Sequence, residues 1–197
     1  KKIILQTIVD ASVEYKQIAA NLLLIFNDKE TVTVYLKIFG EDEEIDQMIS
    51  PKFWENPKLV VEIISDLITM NPNNIKPLLN LLKDVIQLDG EEKYNSMHSL
   101  QLRNLTDALS KYLSDHDEEV RMLSLELLFL LDKNVAVLFV DDFSEDNNIW
   151  NRLKLVEILG EVVHPKADEV LLKLSNDSEE MIKERADFCL SNRDINK

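Results

Sequence analysis

Three histidines and one cysteine are the side chains of this 197-residue chain from which a metal centre or a nucleophile would most readily be built: His98, His116, His164 and Cys189. No histidine lies in an HExxH pair or has a second His or Cys at ligand spacing, so no zinc site is expected. His164 precedes Pro165 in the loop after "LGEVV", a place for a surface or loop-capping imidazole rather than a ligand. Cys189, in "RADFCL", falls on the apolar side of a helical pattern and reads as a buried, inert thiol. The acidic runs "EDEEID" (41–46) and "DDFSED" (141–146) hold the hard oxygens that calcium prefers, yet neither has EF-hand spacing with its central glycine. They read as solvated loops. A GxSxG elbow and a Gly-rich phosphate loop are absent, and 3 glycines in the whole chain leave little of the backbone freedom such loops need. With no nucleophile, base and oxyanion donor to assemble, the expectation is a non-enzyme without metal or cofactor.

Charge narrows the partners. The chain has 22 Lys and Arg against 37 Asp and Glu, a formal net charge of -15, which is the wrong sign for displacing counterions from a phosphate backbone. Nucleic acid is therefore not expected, whereas a protein or peptide with a basic segment is. The lone cysteine excludes an intramolecular disulfide and suits a reducing, cytoplasmic setting. The opening "KKIILQTIVDASVEYKQIAANLLLIF" starts like a signal sequence, but Gln6, Thr7 and Asp10 interrupt it. No run approaches the roughly 20 apolar residues of a membrane span. The first residue is Lys1 rather than an initiator methionine, as in a piece of a longer protein.

The elements that must position any site are helical. Between only 3 Gly and 5 Pro, apolar residues recur at three- and four-residue steps. Leu59, Ile63, Ile64, Leu67 and Ile68 form one stripe, and Leu78, Leu81, Leu82, Val85 and Ile86 the next. Asn56-Pro57 and Asn71-Pro72 each pair a capping side chain with a proline suited to the first turn, so both read as helix starts. "TVTVYLKIF" (31–39) alternates like a strand, but it has no partner strand elsewhere and is read as helix.

One junction is written three times: "LSDHDEEVRMLSLELLFLL" from Leu113, "FSEDNNIWNRLKLVEILGEV" from Phe143 and "LSNDSEEMIKERADFCLSN" from Leu174. The copies recur about every 30 residues, a period found in helical solenoids. Aligned on their first residues they superpose Val120 with Trp150 and Met181, and Leu125 with Leu155 and Ala186, which makes Trp150 a core residue. Each copy reads as a short turn between antiparallel helices, with Asp117 and Ser178 capping the second helix. A helix pair cannot cover its own apolar face, so pairs must stack.

"SDHDEEVR" resembles the inter-helix turn of HEAT and armadillo-like α-solenoids, with Asp115, Val120 and Arg121 at the matching positions. In the later copies Trp150-Asn151 and Met181-Ile182 stand where Val-Arg would, and Arg152, Lys183 and Arg185 are shifted along. The likeness covers roughly the last 85 residues. Before them it is carried only by Phe26-Asn27-Asp28 and the Asn-Pro pairs. It implies an all-α, right-handed superhelix of stacked antiparallel helix pairs, a single domain over 1–197, loosely repetitive at 1–112 and regular at 113–192. It also implies that second helices line the concave side, which would expose Glu126, Lys154, Glu157, Lys183 and Asp187, with Asp141, Asp142 and Glu145 at one rim.

The function expected on these grounds is a scaffold or adaptor for a protein or peptide. Two alternatives stand beside it: a HEAT-like nucleic-acid repair enzyme, and a structural spacer within a longer chain. For the enzyme, the recurring Arg121, Arg152, Lys154, Lys183 and Arg185 would have to form a basic face. Each has acidic neighbours, so they read as a ladder pairing each cation with a carboxylate of the adjacent turn. Phe53 and Trp54, in "SPKFWENP", either plug a joint between helical units or anchor a partner.

Overall fold

A computed structural model describes residues 1–89 and 99–194. Among them every regular element is an α-helix, and no helix is long and apolar enough to cross a membrane. The chain gathers into two compact units, Lys1–Ala108 and Leu109–Lys197.

The first unit comprises α1 (Lys2–Thr7), α2 (Val13–Leu23), α3 (Lys29–Ile38), α4 (Glu43–Glu55), α5 (Pro57–Ile68) and α6 (Ile75–Asp89); α7 (Ser99–Tyr112) holds the boundary. Its helices start where short polar side chains can take up orphan N–H groups. Asp28, Asp42 and Asn56 accept from Thr31, Ile45 and Leu59 respectively. The strand-like run is α3: once Asp28 caps it, Val32, Tyr35, Leu36 and Ile38 are buried at helical steps. Packing alternates, α1 on α3, α2 on α4 and α3 on α5, and α5 then packs on α6. Asn71-Pro72 is not a helix start. Asn71 adopts φ 52°, a left-handed turn that amide side chains tolerate, and its N–H closes the end of α5 on the Ile68 carbonyl. The next helix begins at Ile75, and Asn74 just before it sends its side-chain amide to the carbonyls of Leu36 (2.9 Å) and Phe39 (2.8 Å) at the end of α3.

The second unit contains α8 (Glu118–Leu131), the short α9 (Lys133–Ala136) and α10 (Val140–Phe143), α11 (Ile149–Glu161), α12 (Pro165–Leu174) and α13 (Glu180–Asp194). Helix α11 packs on α8 on one side and α13 on the other, while α10 packs on α12. Caps again follow composition: Asp117 starts α8, Asn148 starts α11, and His164 accepts the Lys166 N–H on Nδ1 at 3.0 Å ahead of Pro165. Ser178 is not the cap expected of it; its hydroxyl donates to Asp177, whose Oδ1 also accepts the Glu179 N–H.

Candidate functional site

Two arginines organise the second unit. Arg121 donates from Nε and Nη2 to the two oxygens of Asp146 (2.7 and 2.9 Å) and from Nη1 to the Asp115 carbonyl (2.8 Å). Arg152 repeats the arrangement with Asp177 (2.8 and 3.0 Å) and the Asp146 carbonyl (2.7 Å). Each reaches 25 residues forward and 6 back, so the motif recurs every 31 residues. Planar guanidinium suits this fork geometry. Burial would push the Asp146 carboxyl up, but Arg121, the Asn148 N–H and the Asn151 amide outweigh it and hold it below the ordinary carboxylate range. The Arg152 hydrogen bonds lower Asp177 in the same way.

The ladder corrects the register of the copies. Asp115, Asp146 and Asp177 are equivalent, as are Arg121, Arg152 and Lys183, and the buried position before each cation is Val120, Asn151 or Ile182. Trp150, expected in the core, is therefore one residue off the buried row and 62% exposed. Asn151 takes its place, donating to the Glu118 carbonyl at 3.1 Å and so joining α11 to the start of α8. Met181 holds the Trp150 position on α13 and is also exposed.

Further along, α11 and α13 carry Lys154 and Arg185, 31 residues apart, then Glu157 and Phe188. Lys154 lies 3.2 Å from Glu126 and 3.9 Å from Glu157, so three of the expected partner-binding residues converge. Glu126 is largely covered there and offers little to a partner. The Arg185 guanidinium stands 5.5 Å from the Phe188 ring centre. Lys183 pairs with Glu180 at 3.4 Å, and Asp187 is exposed. A groove of about 430 Å³ opens between the ends of α11 and α13, walled by Glu157, Gly160, Val163, Arg185, Phe188 and Arg193. Arg193 closes its floor by donating to the carbonyls of Leu159 and Val162 (2.7 Å for the latter) at the C-terminus of α11 and pairing with Asp168.

Helix proximity in the groove is set by Gly160. A Cβ there would stand 2.7 Å from the Cys189 Sγ, and Cys189 is buried, its thiol pushed up by burial. Gly160→Ala is expected to destabilise by about 1–2 kcal/mol, overpacking outweighing the helix-propensity gain of roughly 1 kcal/mol. In a Cys189→Ala background the same substitution should turn neutral or stabilising. A urea-denaturation double-mutant cycle measures this, and an unchanged sign in the two backgrounds would show that the thiol does not set the spacing.

The rim is less free than its composition implies. Asp141 pairs with Lys166 and Glu145 with Lys173, each at 2.6 Å, and Asp146 belongs to the ladder; Asp142 is exposed. In the first unit the run 41–46 is likewise structural: Glu41 pairs with buried Lys16, Asp42 caps α4, Glu44 accepts from Gln17 and Asp46 from the Gly40 N–H. His98 lies outside the described residues. Among the described residues no three His, Cys, Asp or Glu side chains gather as metal ligands.

Phe53 and Trp54 part company. They lie in the last turn of α4, a helix that continues through Pro51. Phe53 is fully buried with its ring edge-on to Phe39 at 5.3 Å, a plug and not an anchor, while Trp54 remains 42% exposed. The groove at Gly160 and the exposed α2 face described below were not singled out from sequence. Comparison with family models, curated proteins and solved structures finds no match for the chain.

Proposed function

We propose that this chain is a HEAT or armadillo-like α-solenoid, a right-handed superhelix of stacked helix pairs, and that it acts as a scaffold binding a protein or peptide. The observation that carries this reading is the 31-residue recurrence of the same arginine-to-turn contact in the second unit. A contact repeated with one geometry is what stacked, near-identical helix pairs require. In the first unit α1 packs on α3 and α3 on α5 while α2 packs on α4, an alternation that supports it.

The solvent-exposed face of α11 and α13 is the proposed binding surface. Trp150, Met181 and Phe188 are large apolar side chains left exposed beside Lys154, Glu157 and Arg185, the mixture of anchors and charges typical of interface hot spots. Glu157 and Asp187 favour a segment with basic residues, with affinity falling as salt rises. The repair-enzyme reading is opposed by the ladder, because Arg121 and Arg152 are already held by carboxylates and unavailable to phosphates.

Trp150→Ala and Phe188→Ala should each weaken binding to a partner identified by cross-linking by about tenfold or more, with little change in thermal stability. Titration of the purified partner at two salt concentrations measures it. Full affinity in both variants would remove this face, and duplex DNA binding that survives physiological salt would favour the rival.

A further inference from the structure

Helix α2 has two apolar faces, and only one is covered. Lys16, Ala19, Ala20 and Leu23 are buried as α2 packs on α4. On the other side Tyr15, Ile18 (63% exposed), Leu22 (59%) and Ile25 (83%) follow one another at three- and four-residue steps, running off the end of the helix. Among the described residues no other helix lines up four large exposed apolar side chains in this way. Together they offer on the order of 400 Å² of apolar surface, the size at which a monomer's largest patch is commonly functional.

The two edges of this stripe differ. Along one run Glu14 and Asn21, and the Gln17 amide ties that edge to Glu44 (3.0 Å) and Asp42 (3.4 Å) at the start of α4, where Glu43 is also exposed. On the other the Tyr15 hydroxyl is hydrogen-bonded to that of Thr7, 3.1 Å away, and Lys1, over the Phe26 ring next to Ile25, is paired with Asp28. The single cation of α2, Lys16, is buried on the far face and paired with Glu41, so it does not offset the acidic edge.

We propose that this face of α2 docks one amphipathic helix of a partner protein, with apolar residues at helical steps and Lys or Arg along one edge. Size and charge select this occupant. An antiparallel second copy would bring the same carboxylates against themselves, and in either orientation a standard stable interface buries about 800 Å² per partner, roughly twice this stripe. An anionic lipid surface is repelled by the same edge. A single helix laid along the stripe matches its area and places its cations over Glu14 and Glu44.

The test uses a fluorescent synthetic helix of about 18 residues, long enough to be helical when bound, with leucines matching the stripe and lysines along one edge. A scramble and a version with glutamate for each lysine are the controls. Anisotropy should give at least tenfold tighter binding for the lysine-edged helix, weakening as salt rises. Ile18→Asp and Leu22→Asp should each lose tenfold or more, and Glu14→Lys with Glu44→Lys should remove the preference for lysine. Leu172→Asp on α12 and Trp150→Ala should leave binding unchanged, which separates this surface from the one proposed above. Circular dichroism and the thermal midpoint check that the exposed-site variants remain folded. The proposal is overturned by equal binding of the lysine- and glutamate-edged helices, or by binding that Ile18→Asp retains. It is overturned equally by a wild-type dimer that Ile18→Asp converts to monomer, or by attachment to anionic vesicles that Ile18→Asp abolishes.

Discussion

Gly40→Ala lowers stability by about 3 kcal/mol, the sum of left-handed backbone strain and overpacking. Gly40 follows α3 with φ 86°, where any Cβ crowds the neighbouring backbone. The added methyl would also crowd the Pro77 ring in the first turns of α6, Cγ most closely and Cβ at 2.7 Å, and a proline ring cannot swing aside. The turn has no slack elsewhere. Its Gly40 N–H is held by both oxygens of Asp46 (2.9 and 3.0 Å), and Asn74 clamps the carbonyls just before it. Chemical denaturation of the whole chain measures the loss, and hydrogen exchange should place it in α3, α4 and α6. Pro77→Ala removes the nearest ring carbon, Cγ, but keeps Cβ and leaves the left-handed strain, so it should rescue the variant only in part. A cost under about 1 kcal/mol would mean that the turn can open away from α6.

Helix class was legible, and of the four starts expected Asn56 and Asp117 were, because caps are local. Each meets an N–H within three residues, so spacing in the chain is spacing in the fold; Asp28 and Asp42 cap in the same way, though the sequence reading had not singled them out. The recurrence of the turn was legible and the two arginine contacts recur 31 residues apart, but the register was not legible. Matching "LSD" to "FSE" places the copies by their serines, whereas the fold places them by Asp115, Asp146 and Asp177, which hold the arginines. One residue turns a helix by about 100°, enough to move Trp150 from core to surface and put Asn151 inside. Asn71-Pro72 was misread because Asn-Pro serves a left-handed turn as well as a helix start. The Gly160–Cys189 contact and the bare face of α2 depend on which helices meet, and periodicity within one helix does not encode its neighbours.

Asp146→Ala should cost about 3 kcal/mol, because it leaves the Arg121 guanidinium largely buried without its carboxylate. The loss reaches beyond one ion pair, since the same carboxylate accepts the Asn148 N–H at 2.8 Å and the Asn151 amide at 3.3 Å. Arg121→Met with Asp146→Leu should recover part of it, as apolar replacement of a buried pair commonly does. Acid provides an independent reading. The folded-state values of Asp146 and Asp177 lie below the ordinary 3.8, so their contribution is complete above about pH 4 and is lost as pH falls through the lower folded values. Asp46, raised by burial first, acts with the opposite sign: it favours the fold as pH drops toward its ordinary value. Hydrogen exchange between pH 5 and 2 should therefore show α8 and α11 losing protection, with Asp146→Asn flattening that dependence. If α8 and α11 keep the same acid profile in Asp146→Asn as in the wild type, the ladder does not hold these helices together.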